Sequence, residues 1–258
     1  APGPYRCGLS ESVEGANTTL TTFAAIGILA PATAVYLGII LKLDPARKQK
    51  PGSWAVIVFC FLTGMLSIPL ADIIVFFNPF AYLWFLLPGF GTLYYNIFLV
   101  GLTEEMAKFA VFVFAARFFR QIHEPRDGVL QAAAVALGFA MVENVFYANW
   151  YGLWVLPSRL FLATPGHLLY AAVWGSAVVY VMYFSDGLRR REAYVVIFFA
   201  LGLMALAHGL YNSFLDFDRA DLAIALDTLT AFGALFLLYY WHEHSPYANR
   251  PLTRHREA

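Results

Sequence analysis

Long apolar runs alternate with short polar connections along most of the chain. Each run is close to the roughly 20 residues that a helix needs to cross a bilayer. The runs predict seven transmembrane helices, over residues 19–42, 53–77, 92–120, 128–151, 159–184, 193–216 and 221–241. The pattern therefore predicts an all-α, polytopic integral membrane protein, with residues 1–258 forming a single membrane-embedded domain.

One further segment, residues 78–91, is apolar and aromatic, but proline and glycine interrupt it near both ends. It leaves an eighth span open as an alternative. Tyrosine and tryptophan are enriched at membrane–water interfaces. We therefore interpret the segment as an interfacial or re-entrant piece, held at headgroup level by Tyr82 and Trp84.

The basic residues distinguish these two topologies, because cytoplasmic loops carry an excess of lysine and arginine. With seven spans and the amino terminus outside, only Arg6, Arg159 and Arg219 lie outside. Thirteen lie inside: Lys42, Arg47, Lys48, Lys50, Arg117, Arg120, Arg126, Arg189, Arg190, Arg191, Arg250, Arg254 and Arg256. We therefore predict a multi-pass protein of the cell (plasma or inner) membrane, with its carboxyl terminus inside.

Composition supports this class. The chain is 60% hydrophobic and 13% charged, whereas soluble domains are about 25% charged. Its formal net charge is zero, so no basic surface indicates nucleic-acid binding. The expected surroundings are the lipid bilayer, and nucleic acid is not an expected partner.

Four polar clusters interrupt the predicted spans. A charged side chain at a bilayer centre costs about 2.5–3.5 kcal/mol on insertion scales, and such groups usually mark functional sites. The candidate catalytic residues are Glu104, Glu105, Lys108, Glu143, Asn144, His167, His208 and Asn212. They lie on four different predicted helices, so their chemistry depends on whether those helices meet.

Counting along the helices predicts a shared depth. Glu143, His167 and His208 each lie eight residues from the predicted outer end of their helix, or about 12 Å below the outer surface. Glu104 lies 12 residues from the outer end of its helix, or about 18 Å below that surface. The clusters are therefore expected to meet in the outer half of the membrane.

The residue types suit hydrolysis. Glu104 and Lys108 are four residues apart, in the favourable order for an ion pair on a helix, but one lysine cannot neutralise both Glu104 and Glu105. A glutamate that can take up a proton is suited to act as the general base for water. His208 and Asn212 share a helix face, and their hydrogen-bonding groups suit a developing oxyanion.

Two hydrolytic mechanisms remain open from the residues alone. A glutamate could activate water directly. Alternatively, zinc could be bound with an open position for water, with Glu105, Glu143, His167 and His208 as its ligands. The chain has no HExxH motif, which would have favoured zinc.

Other classes of function use the same residue types. Each cluster alone could be a buried ion pair or a hydrogen bond between helices. Together they could form the relay of a proton- or ion-coupled transporter, although no repeated halves with interrupted helices are visible. A non-catalytic membrane scaffold is a third alternative. The shared depth favours one common site.

The motifs GLTEEMAKFAVF, RDGVLQAAAVALGFAMVENVFY, PGHLLYAAVWG and HGLYNSF follow one another between about residues 92 and 216. In order and spacing they closely resemble the PrsW family of intramembrane proteases. That family is related to the CAAX-prenyl-protease and bacteriocin-processing superfamily. The resemblance implies a multi-helix membrane protease whose motif-bearing core is this stretch.

The resemblance also implies a substrate and roles. Family members cleave membrane-anchored anti-sigma factors near the outer face, so the implied partner is a single-span membrane protein. The family's acids fall on Glu104, Glu105 and Glu143, and its histidines on His167 and His208. By analogy with the superfamily, Glu104 would be the base, and His208 with Asn212 would contact the carbonyl.

Two positions depart from the wider superfamily. The superfamily's first motif usually ends in an arginine one residue further along, whereas here the cation is Lys108. Its second motif usually carries a histidine where this chain has Glu143. Both departures match the PrsW branch. The additional carboxylate favours a metal site.

Overall fold

The computed structural model describes residues 11–43, 53–79, 81, 83–87, 90–119, 122, 125–184 and 190–243. Among these residues the regular structure is entirely helical. The α-helices are α1 Glu11–Leu43, α2 Ser53–Gly64, α3 Ser67–Phe76, α4 Gly91–Tyr94, α5 Leu102–Phe119, α6 Pro125–Tyr151, α7 Leu156–Ser158, α8 Thr164–Phe184, α9 Arg190–Asp216 and α10 Ala220–Glu243. A π-helical segment, Tyr95–Gly101, joins α4 to α5, and a second, Arg159–Ala163, joins α7 to α8.

Six helical stretches of the described chain are long and apolar enough to cross a membrane, and they match six of the predicted spans. The remaining predicted span, 92–120, is a continuous helix over residues 91–119. It differs from the other six because it carries Glu104, Glu105 and Lys108 within its length. The predicted all-α, multi-pass architecture is therefore confirmed.

One predicted boundary is wrong. The fifth span begins at Leu153 and not at Arg159, since the chain turns at Gly152, whose φ is 90°, and becomes helical at once. Arg159 therefore lies inside the helix rather than at the outer surface. His167 is 14 residues from this new end, or about 21 Å, which is deeper than predicted.

The segment 78–91 contains a single 3-10 turn, Leu83–Leu86, among its described residues. Such a turn is far too short to cross a membrane. This favours the seven-span interpretation over the eight-span one. The anchoring role predicted for Tyr82 and for the Trp84 side chain lies outside the described residues.

Helix α6 occupies the centre of the bundle. Every side chain from residue 127 to residue 140 is buried, which is the mark of a helix surrounded on all sides. Its alanine-rich sequence and Gly138 allow close packing, because a Cβ on Gly138 would lie 2.0 Å from the backbone oxygen of Phe61 in α2. Small residues of this kind let membrane helices approach closely.

A second close crossing brings α9 against the π-helical segment before α5. A Cβ on Gly209 would lie 2.5 Å from Cα of Ile97, and one on Gly101 would lie 2.4 Å from the backbone oxygen of Ala205. The two glycines therefore permit backbone contact between these elements. Because His208 precedes Gly209 and Glu104 follows Gly101 by three residues, the crossing brings imidazole and carboxylates together.

Candidate functional site

Lys108 on α5 lies at the centre of the polar cluster and is fully buried. Its Nζ is 2.8 Å from Oε1 of Glu105, 3.0 Å from Nδ1 of His167 and 3.4 Å from Oε2 of Glu104. The ammonium group also lies 3.8 Å from the centre of the Phe139 ring. All three of its donors can therefore be used, and the lysine links α5 to α6 and α8.

Glu105 is also fully buried, and both of its oxygens have partners. Oε1 accepts from Lys108 and lies 3.1 Å from Nδ1 of His208, while Oε2 accepts from Nε1 of Trp174 at 2.9 Å. A buried carboxylate is tolerated when paired and hydrogen-bonded in this way. The arrangement suits Glu105 for holding other groups in place.

His208 presents its two ring nitrogens to the two adjacent glutamates. Nδ1 faces Glu105, and Nε2 lies 3.7 Å from Oε2 of Glu104. The imidazole stacks on the ring of Tyr170, with centroids 5.4 Å apart. Tyr170 donates in turn to Oδ1 of Asp227 at 2.6 Å, so α8 and α10 together support the ring of His208.

His167 bridges Lys108 and Glu143. Its Nδ1 faces the lysine, and its Nε2 lies 2.8 Å from Oε2 of Glu143. Because a lysine ammonium can only donate hydrogen bonds, Nδ1 is the acceptor. Nε2 therefore carries the proton that Glu143 accepts, and His167 could bind a metal through Nε2 only after losing that proton.

Arg159 completes the cluster, contrary to its predicted place at the outer surface. Nη2 lies 2.5 Å from Oε2 of Glu143, and Nε donates to Oδ1 of Asn144 at 2.5 Å. The guanidinium carbon lies 3.6 Å from the centre of the Tyr147 ring. Asn144 also donates to Oγ1 of Thr164 at 3.0 Å.

Part of this cluster lines a small polar cavity of ≈ 10 Å³, which is roughly the room that one water molecule needs. Asn212, whose side chain has no hydrogen-bond partner among the described residues, has its amide available at this cavity. The cavity is lined by Glu143, Arg159, Ala163, Gly166, His167, Tyr170, His208, Tyr211 and Asn212.

The donor set fits a catalytic metal. Ligand atoms of Glu104, His167 and His208 lie within 4.8 Å of one another, and zinc in hydrolases is typically held by three such groups with one position open. Ligating histidines usually donate their second ring N–H to a carboxylate, and Glu105 is in that position for His208. The carboxylates of Glu104, Glu105 and Glu143 carry three negative charges, and Lys108 and Arg159 neutralise two of them. A bound cation would offset the remaining negative charge.

The structure thus brings all eight sequence-predicted residues into one cluster. The group whose ligand atoms are close enough to share a metal is Glu104, His167 and His208, so it contains the two expected histidines but neither Glu105 nor Glu143 of the expected set. Arg159, Tyr170 and Trp174 were missed. Tyr170 and Trp174 lie three and seven residues after His167, on its helix face, which was an available signal; Arg159 was hidden by the misplaced helix start.

Comparison with known proteins gives a family match and several named relatives. The sequence profile of the PrsW family of intramembrane metalloproteases matches residues 52–241. Protease PrsW of Shouchella clausii is 32% identical over 200 residues, covering 74% of this chain and 82% of that protein.

Two further relatives carry the same name. Protease PrsW of Geobacillus kaustophilus is 28% identical over 54% of this chain and 56% of that protein. Protease PrsW of Clostridioides difficile is 28% identical over 59% of this chain and 63% of that protein. No solved structure matches this chain.

Proposed function

Because this chain belongs to the PrsW family of intramembrane metalloproteases, we propose that it is an endopeptidase that cleaves a membrane-anchored protein near the outer face of the membrane. The observation that carries the proposal is the convergence of Glu104, His167 and His208, whose ligand atoms lie within 4.8 Å of one another. Of these, His167 and His208 line a cavity with room for about one water molecule.

Glu104, His167 and His208 would hold a zinc ion. When bound, such an ion polarises the carbonyl of the scissile peptide and makes water more acidic. Glu105 and Lys108 do not face an open position, since their polar atoms have partners inside the cluster. They would fix the orientation of the ligands.

Glu143 is the general base in this proposal. It lines the cavity, whereas Glu105 is sealed by its hydrogen bonds. Its carboxylate would take a proton from the attacking water and return it to the amine that leaves when the peptide C–N bond breaks. General acid–base catalysis of this kind contributes about 10²- to 10⁴-fold to a rate.

Asn212 would stabilise the oxyanion. Its side chain lines the same cavity one helical turn from His208. An amide N–H aimed at the developing negative charge is worth about 10²- to 10³-fold in rate. The sequence led us to expect that His208 and Asn212 would both contact the oxyanion; in this proposal Asn212 alone is the donor, and His208 is a metal ligand.

The substrate class follows from topology and from the family. With the amino terminus outside, Glu143 would lie about 12 Å and His167 about 21 Å below the outer surface. The site would therefore extend from the outer half towards the middle of the membrane, within reach of the end of a substrate's transmembrane segment. We propose a single-span protein, such as an anti-sigma factor, as substrate. We also propose that residues 1–258 act as one protease domain whose core is about 92–216.

The test is cleavage of a co-reconstituted single-span reporter protein by the purified chain in liposomes. Glu143→Gln keeps the shape of the side chain but removes its basicity, so cleavage is expected to fall by about 10²-fold or more. Glu192→Gln, at an exposed position at the start of α9, is the matched control and should cleave at the wild-type rate. Wild-type cleavage by a correctly inserted Glu143→Gln variant would remove Glu143 as the base.

A further inference from the structure

We propose that Arg159 is a positioning residue for the reaction, which holds the carboxylate of Glu143 against the cavity in the orientation needed to take a proton from water. The inference rests on the proposed function of Glu143 as the base. It adds a residue for which the sequence motifs gave no role.

The contacts of Arg159 define the position of Glu143 closely. Nη2 binds Glu143 and Nε binds the next residue, Asn144, at 2.5 Å each. Because the guanidinium group is planar and presents its donors in a rigid fork, two fixed acceptors on one helix set its plane. The face of the group packs on Tyr147, one turn further along α6, at 3.6 Å.

The guanidinium is itself supported by the surrounding helices. The side-chain oxygen of Asn144 accepts from Arg159, and its amide nitrogen donates to Oγ1 of Thr164 at 3.0 Å. Asn144 on α6 is therefore linked to Thr164 on α8. These hydrogen bonds form a chain from Glu143 through Arg159 and Asn144 to Thr164, which limits the rotation of the Glu143 carboxylate. Pre-organisation of this kind is what a catalytic base requires.

The local backbone explains why Arg159 reaches the site. It begins the π-helical segment Arg159–Ala163, and single π-helical turns are frequent at functional sites because they change the direction of side chains. Tyr36 of α1 donates its hydroxyl to the carbonyl oxygen of Leu160, inside this segment, at 2.6 Å. Helix α1, which lies before the family-matched stretch, thus supports the segment that carries Arg159.

A purely structural ion pair would not require this placement. Arg159 and Glu143 both line the cavity, where a buried pair must offset a desolvation cost that well-packed apolar residues avoid. Arg159 and His167 both contact the same oxygen of Glu143, Oε2. Because His167 would give up this contact on binding a metal through Nε2, Arg159 is the partner that would keep Glu143 in place beside the space in which water would react.

The experiment compares Arg159→Lys, Arg159→Ala and Arg219→Ala in the liposome cleavage assay, with zinc content measured for each. Arg219 is an exposed arginine paired with Asp221, so its variant is the matched control. Arg159→Ala should lower kcat by about 10²-fold, the cost of a small misplacement of a reacting group, with KM and zinc content unchanged. Arg159→Lys should lie between, because one ammonium group cannot bind both acceptors with a fixed plane.

Chemical rescue separates positioning from folding. Methylguanidinium added to correctly inserted Arg159→Ala protein should restore part of kcat, and it should not affect the Arg219→Ala control. A wild-type kcat in Arg159→Ala, a loss confined to KM, or the absence of rescue would overturn the positioning role. Wild-type cleavage by Glu143→Gln would instead overturn the base assignment, and the role of Arg159 with it.

Discussion

Two adjacent glutamates on one helix have quite different surroundings. Glu105 is enclosed by Lys108, His208 and Trp174, whereas Glu104 contacts the same lysine at a longer distance and is partly exposed. The spacing of the residues predicted the Glu104–Lys108 pair, which is present at 3.4 Å. The shorter contact, from Lys108 to Glu105 at 2.8 Å, also fits helical spacing, since these residues are three apart, but spacing alone does not show which glutamate lies nearer the lysine.

At the residue scale, Glu105 should raise the affinity of the site for zinc by orienting His208, without binding the metal itself. Glu105→Gln keeps an acceptor for Trp174 but removes the carboxylate that faces Nδ1 of His208. Since such outer partners typically contribute 10- to 100-fold to metal affinity, zinc affinity is expected to fall by about that factor. Competition with a zinc-binding dye measures it, with Glu192→Gln as the control; an unchanged affinity would contradict the supporting role of Glu105.

At the element scale, the helices were predictable and their crossings were not. The length of the apolar runs predicted the helices of the seven expected spans. It could not show that Gly101 and Gly209 allow the backbones of α9 and of the π-helical segment before α5 to come into contact. The start of the fifth span was misplaced for a related reason. A single arginine in an apolar run is normally interpreted as the end of a membrane helix, because an unpaired charge is costly inside the membrane. Arg159 is instead paired with Glu143 on another helix, which its own stretch of sequence does not reveal.

This crossing gives a prediction at the same scale. Gly209→Ala places a methyl group within 2.5 Å of the backbone at Ile97, so α9 must move away from the π-helical segment. Overpacking of this type costs about 1–3 kcal/mol, and the movement separates His208 from Glu104 and Glu105. We expect a lower unfolding temperature in detergent and a large loss of cleavage.

Gly202→Ala provides the control on the same helix, because a Cβ there has no atom within 4 Å. It should leave both stability and cleavage close to wild type. Equal behaviour of the two alanine variants would show that the close crossing at Gly209 does not set the geometry of the site.

At the scale of the whole molecule, apolar helices surround a small polar centre. Side chains such as Phe23, Phe198 and Phe232 are exposed on α1, α9 and α10, as expected where helices face lipid. Moving Arg159 into the bundle leaves two basic residues outside against thirteen inside, which strengthens the predicted orientation. The resemblance seen in four motifs is confirmed by the family match, which decides for a peptidase over a transporter or scaffold.

The metal was the part least accessible to the sequence. Two histidines and three glutamates on four helices permit several ligand sets, and only the packing of α5, α8 and α9 selects Glu104 with His167 and His208. The open choice between direct glutamate catalysis and metal catalysis therefore becomes a question about one cluster. It can be settled on the intact protein.

The most direct measurement is the zinc content of the purified full chain, compared with that of a His167→Ala/His208→Ala variant and of the Arg219→Ala control. The wild-type and control proteins should each hold one zinc ion per chain, and removal of that ion should abolish cleavage until zinc is restored. The double variant should hold none and should not cleave. A wild-type protein that cleaves its substrate at full rate after complete removal of metal would contradict the account.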